Sequence, residues 1–284
     1  MSLVVNNNLM ANTAARNLNT SYSALSTSTE RLSSGLRVNS ASDDAAGLAV
    51  RELMRSDVST INQGVRNAND GISMIQTADG ALSVVDEKLI RMKELAEQAA
   101  TGTYTSDQRL IIDSEYQAMA SEITRIANAT DFNGIYLLNG NLSGDGVTIH
   151  FGTGNDEAED KYDISVDTCT ASALGLGLGS GTGAGATVST QELAEASLEA
   201  LDAAIVSKDK VRANLGAMQN RLSATVSNLE IQAENLQAAE SQISDVDVAT
   251  EMTEYTKQQI ITQSAVSMLS QANSLPQMAL SLIG

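Results

Sequence analysis

Residues 215–243 read Leu215-Gly-Ala-Met-Gln-Asn-Arg-Leu-Ser-Ala-Thr-Val-Ser-Asn-Leu-Glu-Ile-Gln-Ala-Glu-Asn-Leu-Gln-Ala-Ala-Glu-Ser-Gln-Ile243. Leucine or isoleucine returns every seven positions, at Leu215, Leu222, Leu229, Leu236 and Ile243, with Val211, Met218, Ala239 and Val246 at the complementary places. A 3.5-residue period sustained this long keeps one stripe of a helix turned toward a partner helix, so the stretch predicts a coiled coil. Near the other end Ala11, Ala15, Leu18, Tyr22, Leu25, Thr29, Leu32 and Leu36 alternate four and three residues apart, a second seam of the same kind.

The two ends share an unusual charge pattern. No ionisable side chain occurs before Arg16 or after Lys257, although the chain carries a net charge of −18. Charge-free ends on a strongly acidic chain are expected to be buried together. Leu3, Leu9, Ala11, Leu18, Leu25 and Leu32 from one end, and Ile261, Val266, Leu269 and Leu280 from the other, are the candidate residues of a self-assembling inner core. Their apolar area is too small to offset the entropy of ordering both ends. The ends are therefore expected to be disordered in the isolated chain and to fold against copies of themselves.

Between the seams the pattern remains helical, interrupted at Gly35 and Thr101-Gly102-Thr103, with helices expected over about 4–34, 43–100 and 106–128. Ser106 is the expected cap of the third, and Asn133-Gly134 its close. On the second, Leu53, Ile61, Val65, Ile72, Ile75, Leu82, Leu89 and Met92 form the expected packing face. Twelve of the 20 glycines fall between 134 and 185, a stretch of different character. There Val147, Ile149 and Phe151, and then Tyr162, Ile164 and Val166, alternate with polar residues, which predicts a β-hairpin around an acidic loop. The run Gly175 to Gly185 reads as a flexible connector. Helix resumes near Thr190, with a bend expected near Asp245. The fold class is mainly α: a long helical coiled-coil bundle formed by the N- and C-terminal regions, with a small β-hairpin insert in the middle.

Composition excludes several functions. With 35 acidic against 17 basic residues, electrostatic binding to nucleic acid or anionic membranes is not expected. Asn6, Asn7, Asn8 and Asn12 break any apolar signal core at the start, and polar residues such as Gln263, Gln271 and Asn273 break any membrane span near the end. A lone Cys169 allows no internal disulfide and no cysteine-based zinc site, and a single His150 allows no histidine pair or triad. Asp156, Glu157, Glu159, Asp160 and Asp163 lack calcium-loop spacing. The chain is expected to be no enzyme and to need no cofactor or metal. Most of the ten methionines read as core fillers.

Residues 30–51, Glu30-Arg-Leu-Ser-Ser-Gly-Leu-Arg-Val-Asn-Ser-Ala-Ser-Asp-Asp-Ala-Ala-Gly-Leu-Ala-Val-Arg51, closely resemble the N-terminal signature of bacterial flagellins. Residues 67–82, Asp131-Phe-Asn-Gly134 and residues 263–277 agree with it, so the likeness covers about 1–140 and 190–284. The resemblance implies a flagellar filament subunit whose termini pair as an inner coiled coil and fold on polymerisation. It implies residues 1–42 as the N-terminal half of that inner domain plus a connector, and 246–284 as its C-terminal half. Residues 43–140 and 190–245 would form the outer helical domain, held by the Leu215–Ile243 coiled coil, with 141–189 a short variable region. It further implies export through the flagellar type III apparatus to an extracellular filament. The implied partners are further copies of the chain, an export chaperone, and cap and junction proteins. Arg91, Glu94, Leu95 and Glu115 resemble positions through which flagellins meet one another and are sensed by a host receptor of the Toll-like class, although Ile90 and Met92 differ from the usual neighbours. Ser and Thr between 165 and 190 are candidates for the O-glycosylation seen in some of the family. The rival expectations are a hook–filament junction protein and a secreted effector that borrows flagellar termini for export.

Overall fold

The computed structural model describes residues 7–144, 146–157, 159–177 and 185–283, with side chains in the last stretch described to Ser274 and at Met278. Leu3, the side chain of Leu280 and most of the Gly175–Gly185 connector therefore lie outside the described residues. Five helices carry the fold: α1 (Leu9–Ser34), α2 (Ala45–Ala100), α3 (Ser106–Ala129), α4 (Gln191–Ser244) and α5 (Val248–Ile283). Between α3 and α4 lie two antiparallel hairpins, β1 (Asp131–Phe132) with β2 (Ile135–Tyr136), and β3 (Val147–His150) with β4 (Lys161–Ile164).

Local chemistry sets the helix ends. The Asn8 side chain accepts the Ala11 N–H at 3.1 Å, and Gly35, in the left-handed conformation at φ +74°, closes α1 by donating to the Arg31 carbonyl. At α3 the cap is Thr105 rather than Ser106. Thr105 accepts from the Gln108 N–H while the Gln108 side chain accepts from the Thr105 N–H, and this reciprocal pair places Ser106 inside the first turn. Asn133-Gly134 does more than end a helix. With Asn133 at φ +52° and Gly134 at φ +81° it turns β1 into β2, as Asn-Gly does in tight hairpins. The longer hairpin has the expected alternation, pairing Val147 with Ile164 and Ile149 with Tyr162. Where a bend was expected near Asp245, α4 ends and α5 begins, capped by Asp247 accepting from the Ala249 and Thr250 N–H groups.

The chain divides into two compact units, Met1–Val58 with Glu234–Gly284, and Ser59–Ala233. Both divisions fall inside long helices rather than at the loops near 42 and 245. The reason is that the 35–44 connector is bound to the helix ends beside it. The Arg37 guanidinium donates to the Ile243 carbonyl at 2.8 Å and the Arg37 N–H to that of Ser244 at 2.7 Å. Arg51 donates to the Val38 carbonyl at 2.9 Å, and Val246 N–H to that of Gly35 at 3.0 Å. Leu236 and Ile243 consequently belong to the terminal unit, whereas Leu215, Leu222 and Leu229 are buried in the central one.

The central unit has two apolar clusters. One joins Leu89, Met92 and Leu95 of α2 to Tyr116 and Ile123 of α3 and Leu201 of α4. The other joins Met74, Ile75 and Leu82 to Leu138, Ile164 and Leu222, which seats the β3–β4 hairpin on the helices. Leu53, read as part of the α2 packing face, is 67% exposed.

Candidate functional site

In the terminal unit α1 and α5 run antiparallel, with the Asn8 amide donating to the Ala272 carbonyl at 2.7 Å at one end and Arg31 lying 3.7 Å from Glu251 at the other. The α1 seam consists of Ala11, Ala14, Leu18, Ser21, Leu25, Ser28 and Leu32, all buried or half-buried. Ala11, Ala15, Leu18, Leu25, Leu32 and Leu36 of the sequence reading are all half-buried, but Ser21 and Ser28 are buried where Tyr22 and Thr29 were expected. Tyr22 is 53% exposed. The facing row on α5 is equally lean: Glu251, Tyr255, Gln258, Thr262, Ala265, Leu269 and Ala272. Small residues such as Ala11, Ser21, Ser28, Ala265 and Ala272 alternate with leucines along the seam, while Leu9, Met10, Ile261 and Val266 are turned outward.

In the structure both helices pair along the length of α1, which starts at Leu9, while α5 runs to Ile283. Their pairing leaves a row of large apolar side chains exposed. Leu9, Met10, Ile260, Ile261, Val266 and Met268 all stand in solvent, Leu9 at 76%. Leu9, Met10, Ala14, Ile261, Ala265 and Met268 line a shallow groove of about 550 Å³ between the helices. No ionisable side chain borders it.

In the central unit Arg91 is held by two carboxylates. Its Nε and Nη2 donate to Glu115 Oε1 at 3.0 and 2.8 Å, and Nη1 donates to Glu94 Oε2 at 2.9 Å. These bonds, Glu115 first, raise the guanidinium further above its ordinary range. The three side chains form an exposed polar cluster joining α2 and α3. Leu95 does not join them. One helical turn after Arg91, it is 2% exposed and packs in the apolar core beside the polar cluster.

Several organising residues escaped the sequence reading. Lys208 is 2% exposed yet charged, its Nζ 2.5 Å from Asp86 and 2.7 Å from Asp209. Lys93 with Asp202 and Arg212 with Asp79 flank it, and the α2 members 79, 86 and 93 repeat every seven residues. A heptad spacing of charges on α2 was the available signal. Gly64 and Asn67 seat the β3–β4 hairpin, Asn67 donating to the His150 carbonyl at 2.8 Å. The Tyr116 hydroxyl donates to the Gly185 carbonyl at 2.9 Å, and burial pushes its pKa up to about 12. Burial likewise pushes the Cys169 thiol up to about 11, which leaves it protonated and unreactive at neutral pH. Among the described residues no cluster of His, Cys, Asp and Glu could hold a metal ion, and no helix is long and apolar enough to cross a membrane.

The chain is thus an α-helical protein with a well-packed central unit and large apolar side chains displayed on paired terminal helices. Family models for the bacterial flagellin N-terminal and C-terminal helical regions match residues 5–143 and 198–283. Flagellin FlaB2 of Treponema pallidum is 40% identical across 99% of this chain and 100% of its own. A flagellin of Halalkalibacterium halodurans is also 40% identical over the same shares. A putative flagellar hook-associated protein from Vibrio parahaemolyticus shares the fold, with a TM-score of 0.57 at 18% identity over 72% of this chain and 100% of that one. The chain belongs to the bacterial flagellin family.

Proposed function

We propose that this chain is the structural subunit of a bacterial flagellar filament and that it polymerises by covering the outward faces of α1 and α5 with the same faces of neighbouring copies. The observation that carries this reading is the exposed apolar row Leu9, Met10, Ile260, Ile261, Val266 and Met268 on helices that carry no charge before Arg16 or after Lys257. Removing that surface from water drives association. With no ion to desolvate, assembly avoids a penalty of several kcal/mol per buried unpaired charge. Ala11, Leu18, Leu25, Leu32 and Leu269 hold the hairpin together from inside, while Leu9, Ile261 and Val266 meet the neighbours. Relatives described as filament proteins, matched along their full lengths, favour this role over that of a hook–filament junction protein.

Leu269→Asp places a charge in the α1–α5 seam. It is expected to slow filament growth by at least about tenfold without altering the unfolding of the central unit, since a half-buried carboxylate there has no cation to meet. Seeded growth followed by light scattering tests this, and growth at the unsubstituted rate contradicts the assignment.

The proposal extends to the setting of the filament. The subunit leaves the cell through the flagellar type III apparatus to an extracellular filament, escorted by an export chaperone and added beside cap and junction proteins. Arg91, Glu94 and Glu115 form a contact surface for neighbouring subunits and for a host Toll-like receptor. Arg91→Ala releases both carboxylates and is expected to weaken receptor signalling by about tenfold, in line with loss of a central charged anchor. A reporter-cell dose–response checks it, and an unshifted curve removes the receptor from the list of partners.

A further inference from the structure

Of ten methionines, Met10, Met252, Met268 and Met278 are between 47% and 64% exposed, and all four lie on α1 or α5. The described methionines of the central unit differ: Met74 and Met92 are buried, and Met119 and Met218 are half-buried. Met10 and Met268 line the apolar groove between the terminal helices. Accessible thioethers are thus concentrated on the surface that assembly must make dry.

We propose that Met10 and Met268, with Met252 and Met278, are oxidation sites that act as a reversible brake on assembly, blocking unassembled subunits that meet a peroxide. The reaction is two-electron oxygen transfer. A sulfur lone pair attacks one oxygen of hydrogen peroxide, the O–O bond breaks as the S–O bond forms, and the displaced hydroxide takes up the remaining proton and leaves as water. Sulfur is oxidised to the sulfoxide and the peroxide is reduced. A flexible apolar side chain becomes polar and chiral. Its S–O dipole must then lose water when the groove closes against a neighbour, and a buried polar group without a partner opposes association. Leu9, Ala14, Ile261, Ala265 and Ala272 offer no side-chain donor and the Thr13 hydroxyl is engaged with the Leu9 carbonyl at 2.9 Å, so the donors on the groove are the solvent-exposed Asn17, Ser264 and Gln271, which must themselves give up water to meet a sulfoxide. Methionine sulfoxide reductase, with a dithiol as electron donor, returns the thioether and releases the oxygen as water. The same contacts that form the filament cover these sulfurs, so the brake acts before assembly and not after it.

This inference rests on the assembly role of α1 and α5. The experiment exposes the full chain, as unassembled subunits and as filaments, to hydrogen peroxide. Sulfoxides are mapped by peptide mass spectrometry and seeded growth is measured. Met10, Met252, Met268 and Met278 are expected to oxidise first in free subunits and to be protected in filaments. Oxidised subunits are expected to elongate at least about tenfold more slowly and to recover after reductase treatment. A variant combining Met10→Leu, Met252→Leu, Met268→Leu and Met278→Leu is expected to elongate equally well before and after peroxide. Oxidised native subunits that grow at the untreated rate, or a leucine variant slowed as much as the native chain, overturn the proposal. Reductase rescue of the native chain provides the same test should the leucine variant fold poorly. Failure of the assembly role shows separately, as unoxidised Leu269→Asp subunits growing normally.

Discussion

A chain lacking residues 258–284 is expected to form no filaments under conditions in which the full chain does, while its central unit unfolds at the same temperature. The deleted residues carry Ile260, Ile261, Val266 and Met268 of the outward face and Thr262, Ala265, Leu269 and Ala272 of the seam. They remove one wall of the groove and leave α1 without the partner along which Ala11 to Leu18 pack. The central unit loses nothing, because both of its apolar clusters lie between Ala68 and Leu222. The effect is expected to exceed that of Leu269→Asp, which disturbs one position of a surface several helical turns long. Sedimentation and electron microscopy read assembly, and circular dichroism on heating reads the central unit. Filaments from the shortened chain would show that the central unit polymerises unaided and that the apolar ends have another purpose.

The sequence made the helices legible because their signals are local and repeated: a seven-residue period in α4, an interruption at Gly35, and turn residues where helices stop. The terminal seam departs from the sequence reading at Tyr22 and Thr29 for a physical reason. A four-then-three reading that favours bulk selects Tyr22 and Thr29, whereas close helix packing selects Ser21 and Ser28, and nothing in a hydrophobic pattern rewards serine. The same bias hid the outward face, since Ile261 and Val266 resemble core residues until their neighbours are known to be Thr262 and Ala265. Leu95 lies one turn from Arg91, as its spacing implies, but its burial depends on α3 and α4 residues that the local sequence does not show. Lys208 was invisible because its burial depends on Asp86, 122 positions away. Where the hairpin would sit could not be read either, because docking depends on what a glycine lacks.

That last feature yields the second large effect. Gly64→Ala is expected to destabilise the central unit by about 3 kcal/mol, the upper range for overpacking, because the obstacle is main chain rather than a movable side chain. A Cβ at Gly64 would overlap the Phe151 carbonyl oxygen and lie 2.8 and 2.9 Å from the Phe151 C and Cα atoms. To relieve this the hairpin must lift from α2, which breaks the Asn67–His150 hydrogen bond and uncovers Ile149 and Ile164, packed 3.3 Å from the Cβ position of Gly71. Intrinsic propensity points the other way, since alanine in a helix is favoured over glycine by about 1 kcal/mol. Gly80→Ala separates the two influences. It lies on the same helix with nothing within 4 Å of its Cβ position, so it is expected to stabilise by about that propensity difference. Urea unfolding of both variants gives opposite shifts in midpoint if hairpin docking requires the bare backbone at Gly64. Equal shifts would mean that the hairpin contributes nothing to the stability of the helices beneath it.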